Sequence, residues 1–454
     1  MNNTAKRAYV LLAVIAAFLA GIALLMFFFI KDGASWATNK ANRHIYTNGS
    51  ISSAGAVYDC NNEVLAKSVD GKRRYNDSRE VRMSTLHTVG DLNGFIATGV
   101  QYTYRNTLTG YDFIDGISSM VQYGQGNDIY LTIDSSVCKT AYSALNGRKG
   151  AVCVYNYQTG KIVCMVSSPT YDPKNKPSDI DTNSKYAGVY LNRVLSGVYT
   201  PGSIFKIVTA VCAVENIPDI YSRTFNCTGQ YSTGDGVVKC NGTHGKVNFE
   251  QALNHSCNSA FAQIAIELGS EKLTATAKEL GFNIKLDTNG IATPAKSVLS
   301  LDNTTKTDLG WAGIGQYTTL VNPYHMASIM GCIANSGTTI EPYVVDFVKT
   351  PKGRTTQTKA QISKQISLAP DVADKIKKLL RSDVENYYGD NRFPNLEMCG
   401  KTGTAQVDDG EPHSWFVGFS QKSPYAVAVV VENGGTGLSA AGIVANKVMQ
   451  KVCN

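Results

Sequence analysis

An uncharged apolar run near the N-terminus, Ala8–Ile30, sets the first constraint on this chain. The run is long enough to cross the roughly 30 Å hydrocarbon core of a bilayer as one helix. Basic residues precede it, so the positive-inside rule predicts that residues 1–7 form a cytoplasmic tail and that everything after Asp32 lies outside. A cleaved signal peptide is the alternative, because Ala34-Ser35-Trp36-Ala37 resembles a cleavage site. The run exceeds the roughly 7 to 15 apolar residues of such peptides, so we favour a retained single-pass anchor.

The remaining composition is that of a globular protein without a nucleic-acid-binding signature. Of the 454 residues, 43% are hydrophobic and 17% are charged, which is typical of folded domains. The formal net charge of +7 is spread along the chain without a dense basic run. We therefore expect no nucleic-acid partner.

The spacing of cysteines and histidines predicts no metal site. None of the 11 cysteines forms a C-x-x-C pair, and the six histidines lack HExxH or other ligand spacing. Cys227 and Cys240 flank a Gly-rich polar stretch with the pattern of a hairpin. A disulfide between them is compatible with a location outside the membrane. The sequence leaves that pairing open.

Two stretches that differ in composition and hydrophobic pattern follow the apolar run, and they predict two further regions of the chain. Residues 31–125 are polar with short apolar alternations, which predicts a small β-rich region, called the pedestal below. Within it, Gly55–Ala66 predicts two short strands around a turn at Asn61-Asn62, since Asn tolerates the left-handed conformation. Residues 126–454 alternate between strand and helix patterns, which predicts an α+β domain with one antiparallel sheet covered by helices.

The elements predicted in residues 126–454 are bounded by helix caps, turns and glycines. They are a strand over Asp128–Asp134, a helix over Ser135–Leu145, a hairpin over Gly150–Val166 with its turn near Thr159-Gly160, helices over Ile204–Val214, Ser259–Leu268 and Pro323–Ala334, strands over Ser414–Phe419 and Tyr425–Val431, and a closing helix over Ala440–Val452. Strands at both ends with helices between them favour a single sheet.

Ser203-Ile-Phe-Lys206 has the pattern of a serine nucleophile beside its base. A serine hydroxyl needs a base within hydrogen-bond reach, and residues three apart on a helix share a face. Burial and nearby cations would lower the pKa of Lys206 enough for it to accept the serine proton. The same pattern recurs as Ser136-Val-Cys-Lys139, which we interpret as the capped start of a surface helix. A capped helix with an exposed lysine is also the alternative for Ser203.

Ser256-Cys-Asn258 is a second short motif, placed just before a predicted helix. Ser256 is a candidate proton relay to a leaving group, and Asn258 is a candidate donor to a substrate amide. Both residue types are also common helix N-caps, which is the alternative.

Lys401-Thr-Gly-Thr404 is the third motif and predicts a strand with small side chains. A glycine inside a strand suits the close approach of another backbone, such as a peptide that adds as a strand. Lys401 would supply a cation for a carboxylate, and the Thr404 N–H could join that of Ser203 in an oxyanion hole. An ordinary edge strand is the alternative.

The three motifs in this order are the signature of penicillin-binding proteins and class A β-lactamases. From about residue 126 to the C-terminus, the chain resembles the transpeptidase domain of class B penicillin-binding proteins. Stretches that carry the resemblance include Ser168–Pro173, Tyr199–Lys206, Lys401–Ala405 and His413–Gly418. The resemblance implies the penicillin-binding/β-lactamase-like α+β fold, attachment to the bacterial cell membrane, an extracellular catalytic domain and a role in peptidoglycan synthesis.

The resemblance also implies a D,D-transpeptidase mechanism. Ser203 would attack the penultimate D-Ala carbonyl of a donor stem peptide with Lys206 as base, and Ser256 with Lys401 would pass a proton to the leaving D-Ala. An acceptor amine would resolve the ester without a cofactor, and β-lactams would acylate the same serine. The substrate-binding residues implied by the resemblance are Asn258, Lys401, Thr402, Gly403 and Thr404. Residues 31–125 are too short for the glycosyltransferase domain of class A members, and a SEDS-family glycosyltransferase is an implied partner.

Three other functions remain open from the sequence. A D,D-carboxypeptidase has the same motifs and uses water as the acceptor. A β-lactamase or β-lactam sensor is suggested by Ser203–Ile207, which is reminiscent of class D enzymes, although those usually carry Ser-x-Val in place of Ser256-Cys-Asn258. A scaffold that has lost catalysis is the non-enzyme alternative, and the intact motif residues argue against it.

Overall fold

The computed structural model describes residues 3–37, 39, 46–47, 50–51, 54–91, 94–111, 125–408 and 410–454. Parts of the predicted pedestal, including residues 40–45 and 112–124, lie outside the described residues. Helix α1 (Asn3–Ala37) contains the predicted anchor and continues through the cleavage-like stretch that follows it. Within its segment Asn3–Gly33, an 18-residue window has a mean hydropathy of 2.9 and is not buried against the rest of the chain, so the helix is long and apolar enough to cross a membrane.

The described helices after α1 are mostly short and surround the sheets. They are α2 (Arg79–Val89), α3 (Val100–Thr103), α4 (Arg105–Leu108), α5 (Ser135–Leu145), α6 (Lys206–Asn216), α7 (Phe249–Asn254), α8 (Asn258–Glu279), α9 (Lys306–Gly313), α10 (Pro323–Ala334), α11 (Pro370–Ser382) and α12 (Ile443–Cys453). The strands are β1 (Tyr46–Thr47), β2 (Ser50–Ile51), β3 (Val57–Tyr58), β4 (Val64–Val69), β5 (Lys72–Tyr75), β6 (Asp128–Leu131), β7 (Gly150–Asn156), β8 (Ile162–Ser168), β9 (Thr224–Cys227), β10 (Gln230–Ser232), β11 (Val237–Lys239), β12 (Gly245–Asn248), β13 (Thr338–Ile340), β14 (Val345–Lys349), β15 (Thr355–Gln357), β16 (Ile362–Ser367), β17 (Met398–Ala405), β18 (His413–Ser420) and β19 (Tyr425–Val431).

The predicted helix-covered antiparallel sheet is confirmed. Five strands pair antiparallel in the order β17-β18-β19-β7-β8. Helix α10 packs on the three middle strands, and α5 and α12 pack on β8 and β19 and against each other. The strands read as almost continuous apolar runs because both of their faces are buried, as in Tyr425–Val431.

A second sheet joins the predicted pedestal to the predicted catalytic part. Its strand order is β15-β14-β6-β3-β4-β5, so β3, which precedes residue 125, pairs with β6, and β6 pairs in turn with β14. The turn between β3 and β4 contains Asn62 at φ 65°, which confirms the predicted left-handed Asn turn. The boundary at residue 125 remains a prediction, and the hydrogen bonds of this sheet cross it.

The elements that carry the three motifs follow the predictions closely, with two informative differences. Helix α6 begins two residues later than predicted, because Gly202–Phe205 forms a 3₁₀ turn first. The helix predicted to end at Leu268 does lose helical geometry at the predicted Gly269 cap, where φ is 77° and ψ is 165°, but helical structure resumes and reaches Glu279. The positive φ of Gly269 ends the first helical segment, as predicted. A second helical segment follows directly and reaches Glu279, so the two together form α8.

Candidate active site

The 3₁₀ turn Gly202–Phe205 presents Ser203 at the head of α6. In a 3₁₀ helix, residues i and i+3 are eclipsed, so Lys206 lies directly over Ser203. Gly202 sits at φ 55°, and a Cβ there would be 2.7 Å from the carbonyl oxygen of Thr404. The turn is therefore built with no room for a side chain at Gly202, and it lies against strand β17.

Lys206 connects the first two motifs. Its Nζ lies 3.0 Å from Ser203 Oγ, 3.0 Å from Ser256 Oγ, 2.7 Å from the Ser256 carbonyl oxygen and 2.7 Å from Asn258 Oδ1. The residue is completely buried. Every predicted residue of these two motifs therefore converges on one ammonium nitrogen.

The surroundings of Lys206 lower its pKa. Burial, followed by the positive charge of Lys401, lowers the pKa of Lys206 to about 7, while Cys240, Cys257 and Asp383 act in the opposite direction. A lysine with this pKa is partly neutral at physiological pH and can accept a proton from a hydroxyl 3.0 Å away. The geometry brings the predicted serine and lysine together, and their roles as nucleophile and base stay a prediction.

Ser256 and Asn258 flank the start of α8 but do not cap it. The capping residue is Cys257, whose Sγ accepts from the N–H of Ala260 at 3.5 Å. Ser256 is held at φ 51°, a conformation that non-glycine residues rarely adopt, and such strain is concentrated at functional sites. The alternative of ordinary N-capping by Ser256 or Asn258 is wrong for this helix.

Lys401 has an internal partner that the sequence did not reveal. Its Nζ lies 3.2 Å from Asp383 Oδ2 and donates to the Tyr388 hydroxyl at 2.8 Å, and Lys401 and Asp383 are both fully buried. The carboxylate of Asp383 raises the pKa of Lys401 well above its usual value, although burial opposes this. Lys401 is thus a fixed cation, and its predicted contact with a substrate carboxylate stays a prediction.

Asp383 and Tyr388 open and close a π-helical turn that follows α11. Such turns are rare and often occur at functional sites. Burial raises the pKa of Asp383 to about 6 despite Lys401, and burial raises the pKa of Tyr388 to about 12. No sequence signal identifies this pair, because Asp383 and Lys401 lie on different elements, a π-helical turn and strand β17, that only the fold brings together.

The remaining residues of the third motif line the edge of the sheet. The Tyr388 hydroxyl lies 2.9 Å from Thr402 Oγ1 and accepts from the Thr402 N–H at 3.1 Å. Thr404 is exposed and lines a cleft of about 160 Å³ together with Ser203 and Asn258. The absence of a side chain at Gly403 allows the backbone of Pro201 to approach, since a Cβ there would lie 2.7 Å from the carbonyl oxygen of Pro201. Its predicted role in admitting a peptide backbone remains a prediction.

Other cleft residues were not foreseen from the motifs. The cleft is also lined by Lys239, Asn241, Trp311, Gln316 and Gln406. They come from the end of strand β11, from helix α9 and from loops, and only the tertiary structure brings these segments together.

The cysteines do not pair. All 11 lie in the described part of the chain and none forms a disulfide, so the pairing of Cys227 with Cys240 that the sequence left open is not formed in this structure. The two residues instead lie beside Cys257 and His244.

The comparison with protein families agrees with this geometry. The model of the penicillin binding protein transpeptidase domain matches residues 150–450, which includes all three motifs. This chain belongs to the class B penicillin-binding proteins. Within the curated relatives, "Peptidoglycan D,D-transpeptidase PbpA" of Mycolicibacterium smegmatis is 27% identical over 97% of this chain and 96% of its own length. PbpA of Mycobacterium tuberculosis is 29% identical over 70% of each chain.

Solved structures of penicillin-binding proteins share the fold. The D,D-transpeptidase domain of a peptidoglycan glycosyltransferase from Eggerthella lenta is 28% identical, with a TM-score of 0.76, and covers 88% of this chain and 98% of its own. The imipenem acyl-enzyme complex of penicillin-binding protein A from M. tuberculosis is 25% identical, with a TM-score of 0.78, and covers 89% and 99%. The penicillin-binding fold expected from the sequence is thereby confirmed.

Proposed function

We propose that this penicillin-binding protein is a peptidoglycan D,D-transpeptidase that works through an acyl-enzyme on Ser203. The observation that carries the proposal is the 3.0 Å contact between Lys206 Nζ and Ser203 Oγ. It pairs a nucleophile with a buried base whose pKa is lowered to about 7. The names of the relatives, which are D,D-transpeptidases, support the same reaction.

Acylation begins when Lys206 takes the proton of Ser203 as Oγ attacks the carbonyl of the penultimate D-Ala. The N–H groups of Ser203 and Thr404 stabilise the oxyanion, since both residues line the same cleft. Collapse of the tetrahedral intermediate breaks the peptide bond and leaves a Ser203 ester. The proton held by Lys206 goes to the leaving D-Ala nitrogen through Ser256, whose hydroxyl is 3.0 Å from Lys206 Nζ.

Deacylation repeats these proton transfers in reverse. An acceptor amine attacks the Ser203 ester, loses its proton through Ser256 to Lys206, and forms the new amide as Ser203 recovers a proton. Atoms and charges balance without a cofactor. Both steps depend on the position of Lys206, whose Nζ donates to Asn258 Oδ1 at 2.7 Å.

Strand β17 provides the binding edge for the donor peptide. It is the outer strand of the five-stranded sheet, so an extended peptide can add beside it. Thr402 and Thr404 offer hydroxyls to the terminal carboxylate. Lys401 supplies positive potential from its buried position, where its Nζ is paired with Asp383.

The membrane arrangement is part of the proposal. Helix α1 anchors the chain with residues 1–7 in the cytoplasm and the catalytic domain outside the cell, next to nascent peptidoglycan. A SEDS-family glycosyltransferase in the same membrane would supply the glycan strands whose stem peptides this protein joins.

Labelling with a fluorescent penicillin tests the acyl-enzyme. The full chain in detergent should form a long-lived ester, and peptide mass spectrometry should locate it on Ser203. The variant Ser203→Ala should show no label, whereas Ser136→Ala in the second Ser-x-x-Lys pattern should label like the parent protein. Label on Ser136, or no label on the parent, would overturn the proposal, and rapid loss of label would favour a β-lactamase.

A donor and acceptor assay tests the choice of acceptor. The chain is incubated with a stem-peptide thioester analogue and a D-amino acid, and the two products are separated. Transpeptidation yields the exchanged peptide in excess over the hydrolysed acid. Hydrolysis alone would favour the carboxypeptidase.

A further inference from the structure

Four side chains behind the second motif meet around one point. Cys227, Cys240, His244 and Cys257 each offer a ligand atom, and these four atoms all lie within 4.8 Å of one another. Three come from the hairpin region around β9–β12, and Cys257 lies between Ser256 and Asn258. Cys227 and Cys257 are buried, while the other two are partly exposed, which leaves a route of entry from solvent.

The spacing of these atoms is that of a single tetrahedral ion. Zinc bonds to sulfur at about 2.3 Å and to nitrogen at about 2.0 to 2.1 Å, so tetrahedral geometry places sulfurs about 3.8 Å apart and sulfur about 3.5 Å from nitrogen. Cys240 Sγ lies 3.9 Å from Cys257 Sγ. His244 Nδ1 lies 3.5 Å from both Cys227 Sγ and Cys240 Sγ. All three distances agree with the tetrahedron to about 0.1 Å.

We propose that Cys227, Cys240, His244 and Cys257 bind one Zn²⁺ ion, which positions Ser256 and Asn258 for catalysis. Three thiolates and one imidazole are a common ligand set of structural zinc. The proposal replaces the sequence-based expectation of no metal site. The positioning of Ser256 and Asn258 for catalysis rests on the proposed function. The metal site itself stands without it.

A disulfide explains the cluster less well. A disulfide needs its sulfurs at about 2.0 Å, and it would use two of three converging cysteines and no histidine. The sulfurs of Cys240 and Cys257 are 3.9 Å apart. Backbone donors also point at two of the sulfurs, as suits thiolate ligands: the Asn258 N–H donates to Cys240 Sγ at 3.2 Å, and the Ala260 N–H donates to Cys257 Sγ at 3.5 Å.

The ligands are linked directly to the contacts of Lys206. Cys257 lies between the two residues whose side chains both touch Lys206 Nζ, and the residue before it, Ser256, is strained at φ 51°. Asn258 is held further by its Nδ2, which donates to the carbonyl oxygen of Lys239, next to Cys240, at 3.0 Å. An ion that ties Cys257 to Cys240 would therefore hold both sides of Asn258 and the strained backbone before it.

Metal analysis of the purified full chain in detergent tests the site. We expect about one zinc per chain by inductively coupled plasma mass spectrometry. Cys240→Ser and His244→Ala should lose most of it, whereas Cys60→Ser, at a surface cysteine outside the cluster, should retain it. Co²⁺ exchanged into the parent protein should give thiolate-to-cobalt charge-transfer and tetrahedral d–d absorption. Absence of zinc and cobalt binding in the folded parent, or a disulfide found by intact mass spectrometry, would overturn the site.

Acylation kinetics test the positioning role without relying on the folding of a variant. Zinc is removed from the parent protein with dipicolinate, and both the number of penicillin-reactive sites and the acylation rate constant are measured. The rate constant should fall about 10- to 100-fold while reactive sites stay near one per chain. Zn²⁺ should restore the rate and Mg²⁺ should not. An unchanged rate constant after complete zinc removal would refute positioning yet leave both the metal site and the transpeptidase intact.

Discussion

The chain contains the Ser-x-x-Lys pattern twice, and the two copies differ in local structure and in burial. At Ser136-Val-Cys-Lys139 the serine hydroxyl donates to Asp134 at 2.6 Å, and Lys139 reaches out to Glu80 at 3.3 Å with 39% of its side chain exposed. At Ser203-Ile-Phe-Lys206 the lysine is fully buried and contacts the serine. The same four-residue pattern therefore forms a capped surface helix in one place and, in the other, the buried contact to which we assign the nucleophile and its base.

Two physical differences separate the copies. Ser203 and Lys206 are joined by a 3₁₀ turn, which eclipses i and i+3, whereas Ser136 and Lys139 lie in the α-helix α5, where residues three apart are offset. Burial without a carboxylate partner then lowers the pKa of Lys206, while water and Glu80 surround Lys139. Helix type and burial, rather than the pattern, decide which lysine is a base.

Replacing each lysine in turn should separate the two copies most strongly. Lys206→Met removes the base but keeps most of the side-chain volume, so penicillin acylation of Ser203 should fall roughly 100- to 10,000-fold. Lys139→Met should leave the acylation rate unchanged. Stopped-flow fluorescence with a labelled penicillin measures both, and equal effects of the two substitutions would contradict the assignment of Lys206 as the base.

Two ion pairs should also differ in how much they stabilise the fold. One is the buried pair of Lys401 with Asp383, and the other is the exposed pair of Lys139 with Glu80. Asp383→Asn leaves Lys401 charged and unpaired in the interior, so the free energy of unfolding should fall by about 3 kcal/mol. The matched change Glu80→Gln breaks an exposed pair with Lys139 and should cost less than about 1 kcal/mol. Denaturant titration of both variants provides the comparison, and similar losses would mean that burial does not decide the strength of the pair.

The pH dependence of acylation should report the lowered pKa of Lys206. Because the neutral amine is the active form, the rate should rise with pH, reach half its maximum near pH 7, and fall about tenfold for each pH unit below that. Protonation of Asp383, whose pKa is raised to about 6, removes a negative charge that favours protonated Lys206, so the fall should become shallower below about pH 6. A rate that is flat between pH 6 and 8 by the same fluorescence assay would rule out a base with this pKa.

The smallest effect is expected at the hydroxyl that supports Lys401. Tyr388→Phe removes the acceptor of the Lys401 and Thr402 donors and a bond to Asp383, and should lower the free energy of unfolding by about 1 to 3 kcal/mol. The neighbouring Tyr387 is half exposed, so Tyr387→Phe should stay within about 0.5 kcal/mol of the parent protein. Thermal unfolding of the two variants, followed by circular dichroism, checks the difference.

Local patterns gave the elements of the catalytic part accurately. The hairpin with its turn near Gly160, the helix Pro323–Ala334 and the strand Tyr425–Val431 are present as predicted. These elements are defined by turn glycines, a Pro at the helix start and apolar runs, which act over a few residues. The 3₁₀ start of Ser203 and the resumed helix after Gly269 were missed, because contacts with distant segments decide them.

By itself the sequence determined which residues are available for chemistry: an anchor-like apolar run, three ordered motifs and the helices and strands that carry them. The tertiary structure decided what those residues can do. Only the fold removes water from Lys206, places Asp383 and Tyr388 against Lys401, and gathers Cys227, Cys240, His244 and Cys257 around one point. Charge and ligand chemistry depend on distances and burial between segments far apart in the chain, which no local repeat encodes.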